Sequence, residues 1–129
     1  MIFKQEFDAK TSTYTYIIAS AKGREAVIID PVLENVEDYI GILKELDLKL
    51  VKVIDTHIHA DHITGASKLK QVTSCTTIMG EHTPADTVEI KVKDDEIINI
   101  DDFTIFNFNF NSICRSVFSH YSSATSNLL

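Results

Sequence analysis

Residues 48–66 read Leu-Lys-Leu-Val-Lys-Val-Ile-Asp-Thr-His-Ile-His-Ala-Asp-His-Ile-Thr-Gly-Ala, and the fold turns on what changes inside that stretch. Leu48 to Ile54 is a β-branched, apolar run and predicts a buried strand. From Asp55 to His62 the chain turns polar and dense in histidine. A short helix is then expected over Ile63 to Gln71, with Ala66 and Leu69 facing inward. His57 and His59 are two apart, a spacing that points both imidazoles the same way in extended backbone. Asp61 and His62 follow where the chain must turn into the helix, so they can face the same cavity from another direction. His57, His59, Asp61 and His62 are therefore the candidate metal ligands. Asp61 is also the candidate catalytic carboxylate. Imidazole suits zinc, iron, copper and nickel, and a carboxylate adds a harder oxygen donor.

Upstream, residues 1–7 alternate as a strand, and Thr13 to Ser20 and Glu25 to Asp30 are two more, the last closed by the Asp30-Pro31 break. Ala21 to Arg24 forms a turn, so the three predict an antiparallel meander. Asn35 is the expected N-cap of a helix whose apolar face is Val36, Tyr39, Ile40, Leu43 and Leu46. Glu37, Asp38, Lys44 and Glu45 lie away from that face. Strand, helix, strand in succession builds a parallel, helix-covered sheet. Downstream, Thr76 to Met79 predicts a strand closed by Gly80. Val88 to Val92, Glu96 to Ile100 and Phe103 to Phe110 are further strand candidates, with Asp94-Asp95 as the turn between the first two. Tyr14, Tyr16 and Tyr39 are read as packing residues, and His82 and His120 as structural or exposed.

The chain has 129 residues, 44% hydrophobic and 24% charged, which suits one domain with a real core. A formal net charge of -7 argues against nucleic acid and against an anionic membrane surface as partner. No apolar run is long enough to span a bilayer. The N-terminus lacks the pattern of a signal or transit peptide, and Cys75 and Cys114 form no recognised spacing. Both point to reduced thiols in a cytoplasmic protein. Composition shifts near the end: residues 106–111 alternate Phe and Asn, and from Asn111 to Leu129 Arg115 is the only charged residue.

The stretch Thr56-His57-Ile58-His59-Ala60-Asp61-His62-Ile63-Thr64-Gly65-Ala66 resembles the hallmark of the metallo-β-lactamase superfamily. The Ala before Asp61 and the Ile-Thr-Gly after His62 look like its persulfide dioxygenase branch. Ser12 to Tyr16 and Ala26 to Val32 are similar to that branch as well, and the resemblance covers roughly residues 1–105. It implies an α/β fold: the N-terminal portion of an αβ/βα sandwich, one mixed sheet with covering helices, its second half missing. Residues 1–105 would be an incomplete domain and 106–129 an atypical tail, from a chain truncated or frame-shifted near Phe106. With that half missing, an apolar sheet face is expected to stand without a partner, and self-association to follow.

The resemblance further implies a mononuclear non-haem Fe(II) enzyme that oxidises glutathione persulfide with O2 to sulfite and glutathione. His57 would be an iron ligand, with His59, Asp61 and His62 as near neighbours. A further His and an Asp from later loops complete the family's set. Gly80 is the last glycine, so no Gly-His or Gly-Asp loop follows it, and the chain by itself is expected to be inactive. Two alternatives stand beside this reading. One is a glyoxalase II-like thioester hydrolase holding one or two zinc ions, with His57 and His59 on one metal and Asp61 and His62 on the other. The second is a non-catalytic metal-binding fragment.

Overall fold

In the computed structural model, residues 1–56, 64–80, 88–93, 96–101 and 103–105 are described. Three strands open the fold: β1 (Ile2–Asp8), β2 (Thr13–Ala19) and β3 (Glu25–Ile29). They pair antiparallel in sequence, Phe3 opposite Ile18 and Ile17 opposite Ile28, so the expected meander is present. A single 3-10 turn (Leu33–Asn35) leads into α1 (Val36–Glu45), and β4 (Lys49–Ile54) returns parallel to β3. The next crossover, α2 (Ala66–Thr73), delivers β5 (Thr76–Gly80) parallel to β4. β6 (Ile90–Val92) extends the parallel half, and the strands lie in the order β1-β2-β3-β4-β5-β6. This is the mixed, helix-covered sheet expected from the alternation of strand and helix patterns.

Each face of the sheet has its own apolar core. On one, Ile17, Ala19, Ala26, Ile28, Leu50 and Val53 pack against Val36, Tyr39 and Leu43 of α1 and Leu69 of α2. The opposite face presents Tyr16, Ile18, Val27, Ile29, Ile54 and Ile78. The strict two-residue alternation breaks in β4, where Leu50 and Val53, three apart, share a face. The break coincides with a shift of register between Ala26 and Val27, the signature of a bulge that re-aims the strand beyond it.

Three expectations are corrected. Residues 88–92 and 96–100 do not form one hairpin. The strand in the second segment, β7 (Ile98–Ile100), leaves the main sheet and pairs antiparallel with β8 (Phe103–Ile105). Asp94 and Asp95, the proposed turn, lie outside the described residues. Secondly, the second sheet face is not bare. Ile98, Ile100, Phe103 and Ile105 join Tyr16, Val27, Ile29 and Ile54 in one buried cluster. Polar contacts fix the small sheet there: the Arg24 guanidinium pairs with Asp101 at 2.7 Å, and the Lys52 ammonium donates to the Asn99 carbonyl. Thirdly, Asn35 stands at the N-cap position of α1 without capping it. Its amide donates instead to Asp8 Oδ1 at 3.1 Å, tying the helix start to the end of β1.

The tyrosines behave as read. Tyr39 is buried, and its hydroxyl accepts from the Val32 N–H and shares a hydrogen bond with Thr15 Oγ1. Tyr16 packs on Phe3, and the exposed Tyr14 on Phe7. Cys75 is buried and in no disulfide, and burial pushes its thiol pKa up. No helix among the described residues is long and apolar enough to cross a membrane.

Candidate functional site

The four candidate ligands, His57, His59, Asp61 and His62, lie outside the described residues, as do Cys114, His82, His120 and the tail from 106 onward. Among the described residues no group of three or more His, Cys, Asp or Glu could hold an ion. What the structure does describe is both stems of the ligand-bearing segment: Asp55-Thr56, directly after β4, and Thr64-Gly65, directly before α2.

The leading stem is held by Asp30, the residue directly after β3. Its backbone has φ of 54°, a left-handed conformation that Asp tolerates better than most side chains. That turn sends the Asp30 N–H to the Ile54 carbonyl at 2.8 Å and swings its carboxylate over the end of β4. There Oδ1 accepts the Thr56 N–H at 2.8 Å and Oδ2 accepts the Thr56 hydroxyl at 2.7 Å. The Thr15 hydroxyl donates to the Asp30 carbonyl at 2.7 Å. Asp30 and Thr56 are each 4% exposed, so these are charge-assisted bonds shielded from water.

The trailing stem is held by Asp55 and by a close backbone approach. The Thr64 hydroxyl donates to Asp55 Oδ1 at 2.7 Å, joining the two stems directly. Asp55 is itself fixed by its N–H, which donates to the Ile78 carbonyl of β5 at 3.1 Å. Thr64 makes an antiparallel bridge with Val32, and the Gly65 N–H donates to the Pro31 carbonyl at 2.8 Å. Gly65 is required here for space: a Cβ on it would lie 2.8 Å from Val36 Cγ2 and 3.2 Å from the Val32 carbonyl oxygen. The bridge and this contact keep Thr64 and Gly65 out of the helix, and α2 begins at Ala66. Asp30 and Asp55, with the Pro31-Val32 backbone, thus clamp Thr56 and Thr64, the stems on either side of residues 57–63, at the carboxyl ends of parallel strands, where α/β sheets place their ligands.

Sequence reasoning took Asp30 as a strand end and Asp55 as the start of a polar run, and gave neither a role. The available signal was an acidic residue directly after each of two apolar parallel strands, Val27-Ile28-Ile29-Asp30 and Val53-Ile54-Asp55.

A mixed sheet with crossover helices, whose clamped stems flank a histidine-rich stretch of sequence, defines a class. The metallo-beta-lactamase superfamily model matches residues 9–96, and the chain belongs to that superfamily. Within it the likeness is to persulfide dioxygenases. The chain is 46% identical over 72 residues to the mitochondrial persulfide dioxygenase ETHE1 of Mus musculus, a match covering 56% of this chain and 28% of that protein. It is 33% identical over 106 residues to the Homo sapiens protein of the same name, covering 81% of this chain and 41% of the relative. The crystal structure of ETHE1 from Myxococcus xanthus superposes with a TM-score of 0.76 at 41% identity, over 81% of this chain and 46% of that one. The chain therefore spans less than half the length of each of these three proteins.

Proposed function

We propose that residues 1–105 carry the first ligand segment of a persulfide dioxygenase-type site, which oxidises glutathione persulfide. The observation that carries this reading is a pair of stems, Thr56 and Thr64, held by Asp30 and Asp55 on either side of residues 57–63, in a chain 46% identical over 72 residues to a persulfide dioxygenase. Three imidazoles and one carboxylate within six residues are a donor set that fits Fe(II), and it also accepts Zn(II). His57 is the proposed iron ligand, with His59, Asp61 and His62 as its neighbours and Asp61 as the carboxylate nearest the chemistry. When bound, the iron supplies open positions for a thiolate sulfur and for O2. This chain's own part is to present those side chains between two stems, Thr56 and Thr64, that Asp30 and Asp55 hold in place. In the reaction the outer persulfide sulfur is oxidised by O2, and water supplies the third oxygen of sulfite. Glutathione leaves as the thiol, and two protons are released.

The test supplies the rest of the fold from a relative. Residues 1–105 of this chain replace the matching portion of the Myxococcus xanthus protein, the hybrid is loaded with Fe(II), and O2 uptake is followed with glutathione persulfide. Uptake that disappears in the His57→Ala hybrid supports the proposal. No uptake, with two zinc ions bound and turnover of a glutathione thioester, would transfer the assignment to the hydrolase reading. Metal binding without either turnover would leave a metal-binding fragment.

A further inference from the structure

Tyr39 of α1 is 1% exposed, and its hydroxyl lies among the groups that hold both stems. It accepts the Val32 N–H at 3.1 Å and stands 3.0 Å from Thr15 Oγ1, which in turn is 2.7 Å from the Asp30 carbonyl oxygen. Counting protons fixes the direction of every bond. Each hydroxyl has one proton to give. The Asp30 carbonyl can only accept, so Thr15 gives its proton there. The proton between Tyr39 and Thr15 is therefore the tyrosine's. A directed chain results, from the Val32 N–H through Tyr39 and Thr15 to Asp30. Its first member belongs to the trailing stem: Val32 bridges to Thr64, and Pro31 beside it accepts the Gly65 N–H. Its last member belongs to the leading stem, since the Asp30 carboxylate accepts twice from Thr56.

We propose that Tyr39 is a positioning residue of the ion site, its hydroxyl tying the anchor of one stem to the anchor of the other. The inference rests on the ligand reading above for the ion, and on the hydrogen-bond chain for the stems. A phenylalanine would present the same ring to Val36, Leu43 and the sheet, so packing does not account for the hydroxyl. Without it the Val32 N–H is left buried with no acceptor there, and Thr15 loses its donor. Both stems are loosened by one atom.

The experiment is amide hydrogen exchange of the full, metal-free chain by NMR, followed by anaerobic titration with Fe(II). In Tyr39→Phe the Thr56 and Gly65 amides exchange about tenfold faster relative to the Lys49 amide, which donates to the Arg24 carbonyl at the other end of β3 and β4. Thr15→Val keeps the Val32–Tyr39 bond and speeds Thr56 alone, and Thr15→Ser restores it. Leu43→Val, on the same helix, lowers overall stability without favouring the stems. Fe(II) binds Tyr39→Phe about tenfold more weakly than wild type. Stem amides that keep their rates relative to Lys49 in Tyr39→Phe overturn the proposal, as does Leu43→Val reproducing the selective loss or Tyr39→Phe binding Fe(II) as tightly as wild type. A wild type that binds no ion overturns the ligand reading, and with it the ion-site role of Tyr39; selective exchange at the stems then supports the tie between the anchors alone.

Discussion

Replacing Asp30 probes the clamp at the leading stem. Its carboxylate accepts two bonds from Thr56, at 2.8 and 2.7 Å, in a site 4% exposed. Hydrogen bonds to a charged group contribute about 1.5–3 kcal/mol each, so Asp30→Ala forfeits roughly 3–6 kcal/mol and leaves the Thr56 N–H buried without that acceptor. Alanine at φ 54° adds a cost of about 1–2 kcal/mol. The sum is comparable with the whole stability of an ordinary domain, roughly 5–15 kcal/mol. Asp30→Asn keeps the shape and tolerates the backbone. Its oxygen still accepts the Thr56 N–H, and its amide donates to the Thr56 hydroxyl, so the expected loss is about 1–2 kcal/mol. Urea unfolding followed by circular dichroism reads both. An alanine variant within about 1 kcal/mol of wild type, or an asparagine variant as damaged as the alanine one, refutes the reasoning.

Gly65→Ala drives a methyl to 2.8 Å from Val36 Cγ2, and overpacking of this kind should cost about 1–3 kcal/mol in the same unfolding assay; a neutral result would show that α1 gives way. Thr64→Val removes the 2.7 Å bond to the buried Asp55 and should lose about 1.5–3 kcal/mol, with Thr64→Ser retaining most of the stability; a valine variant as stable as wild type, or a serine variant as damaged as the valine one, would contradict this role of the hydroxyl. Asp8 accepts from the Thr11 hydroxyl and the Asn35 amide, which hold its carboxyl below the ordinary 3.8. Its contribution to stability is accordingly complete above that value and is lost as pH falls through the lowered one. In Thr11→Val its carboxyl should titrate closer to 3.8 by NMR, and an unmoved titration would contradict this.

The elements whose signal is local periodicity were legible in the sequence. Alternation marked β1, a run rich in Tyr, Thr and Ile marked β2, a continuous apolar run marked β3, and the stripe of Val36, Tyr39 and Leu43 marked α1, because burial of one or both faces of an element is written in its own residues. Pairing partners were not legible. Ile98 to Ile100 is a strand, but nothing in its pattern says that it should turn to Phe103–Ile105 and cover the second face. Asn35 had the chemistry of a cap, and a residue 27 positions earlier, Asp8, took its amide. The candidate site divides in the same way. Its ligand spacing is local and was read from the residues. The stems depend on Asp30 and Thr56 meeting across 26 positions, through parallel pairing that sequence pattern does not number.

The central claim is that the segment between the two clamped stems exists to hold an ion. The direct measurement is an anaerobic titration of the full chain with Fe(II), read by calorimetry and by metal content after gel filtration, on wild type and on His57→Ala/His59→Ala. The account predicts a single ion on the wild type, lost from the variant while metal-free unfolding stays unchanged, and released as pH falls below about 6 and the imidazoles protonate. A wild type that binds no ion, or a variant that binds it equally well, would contradict it.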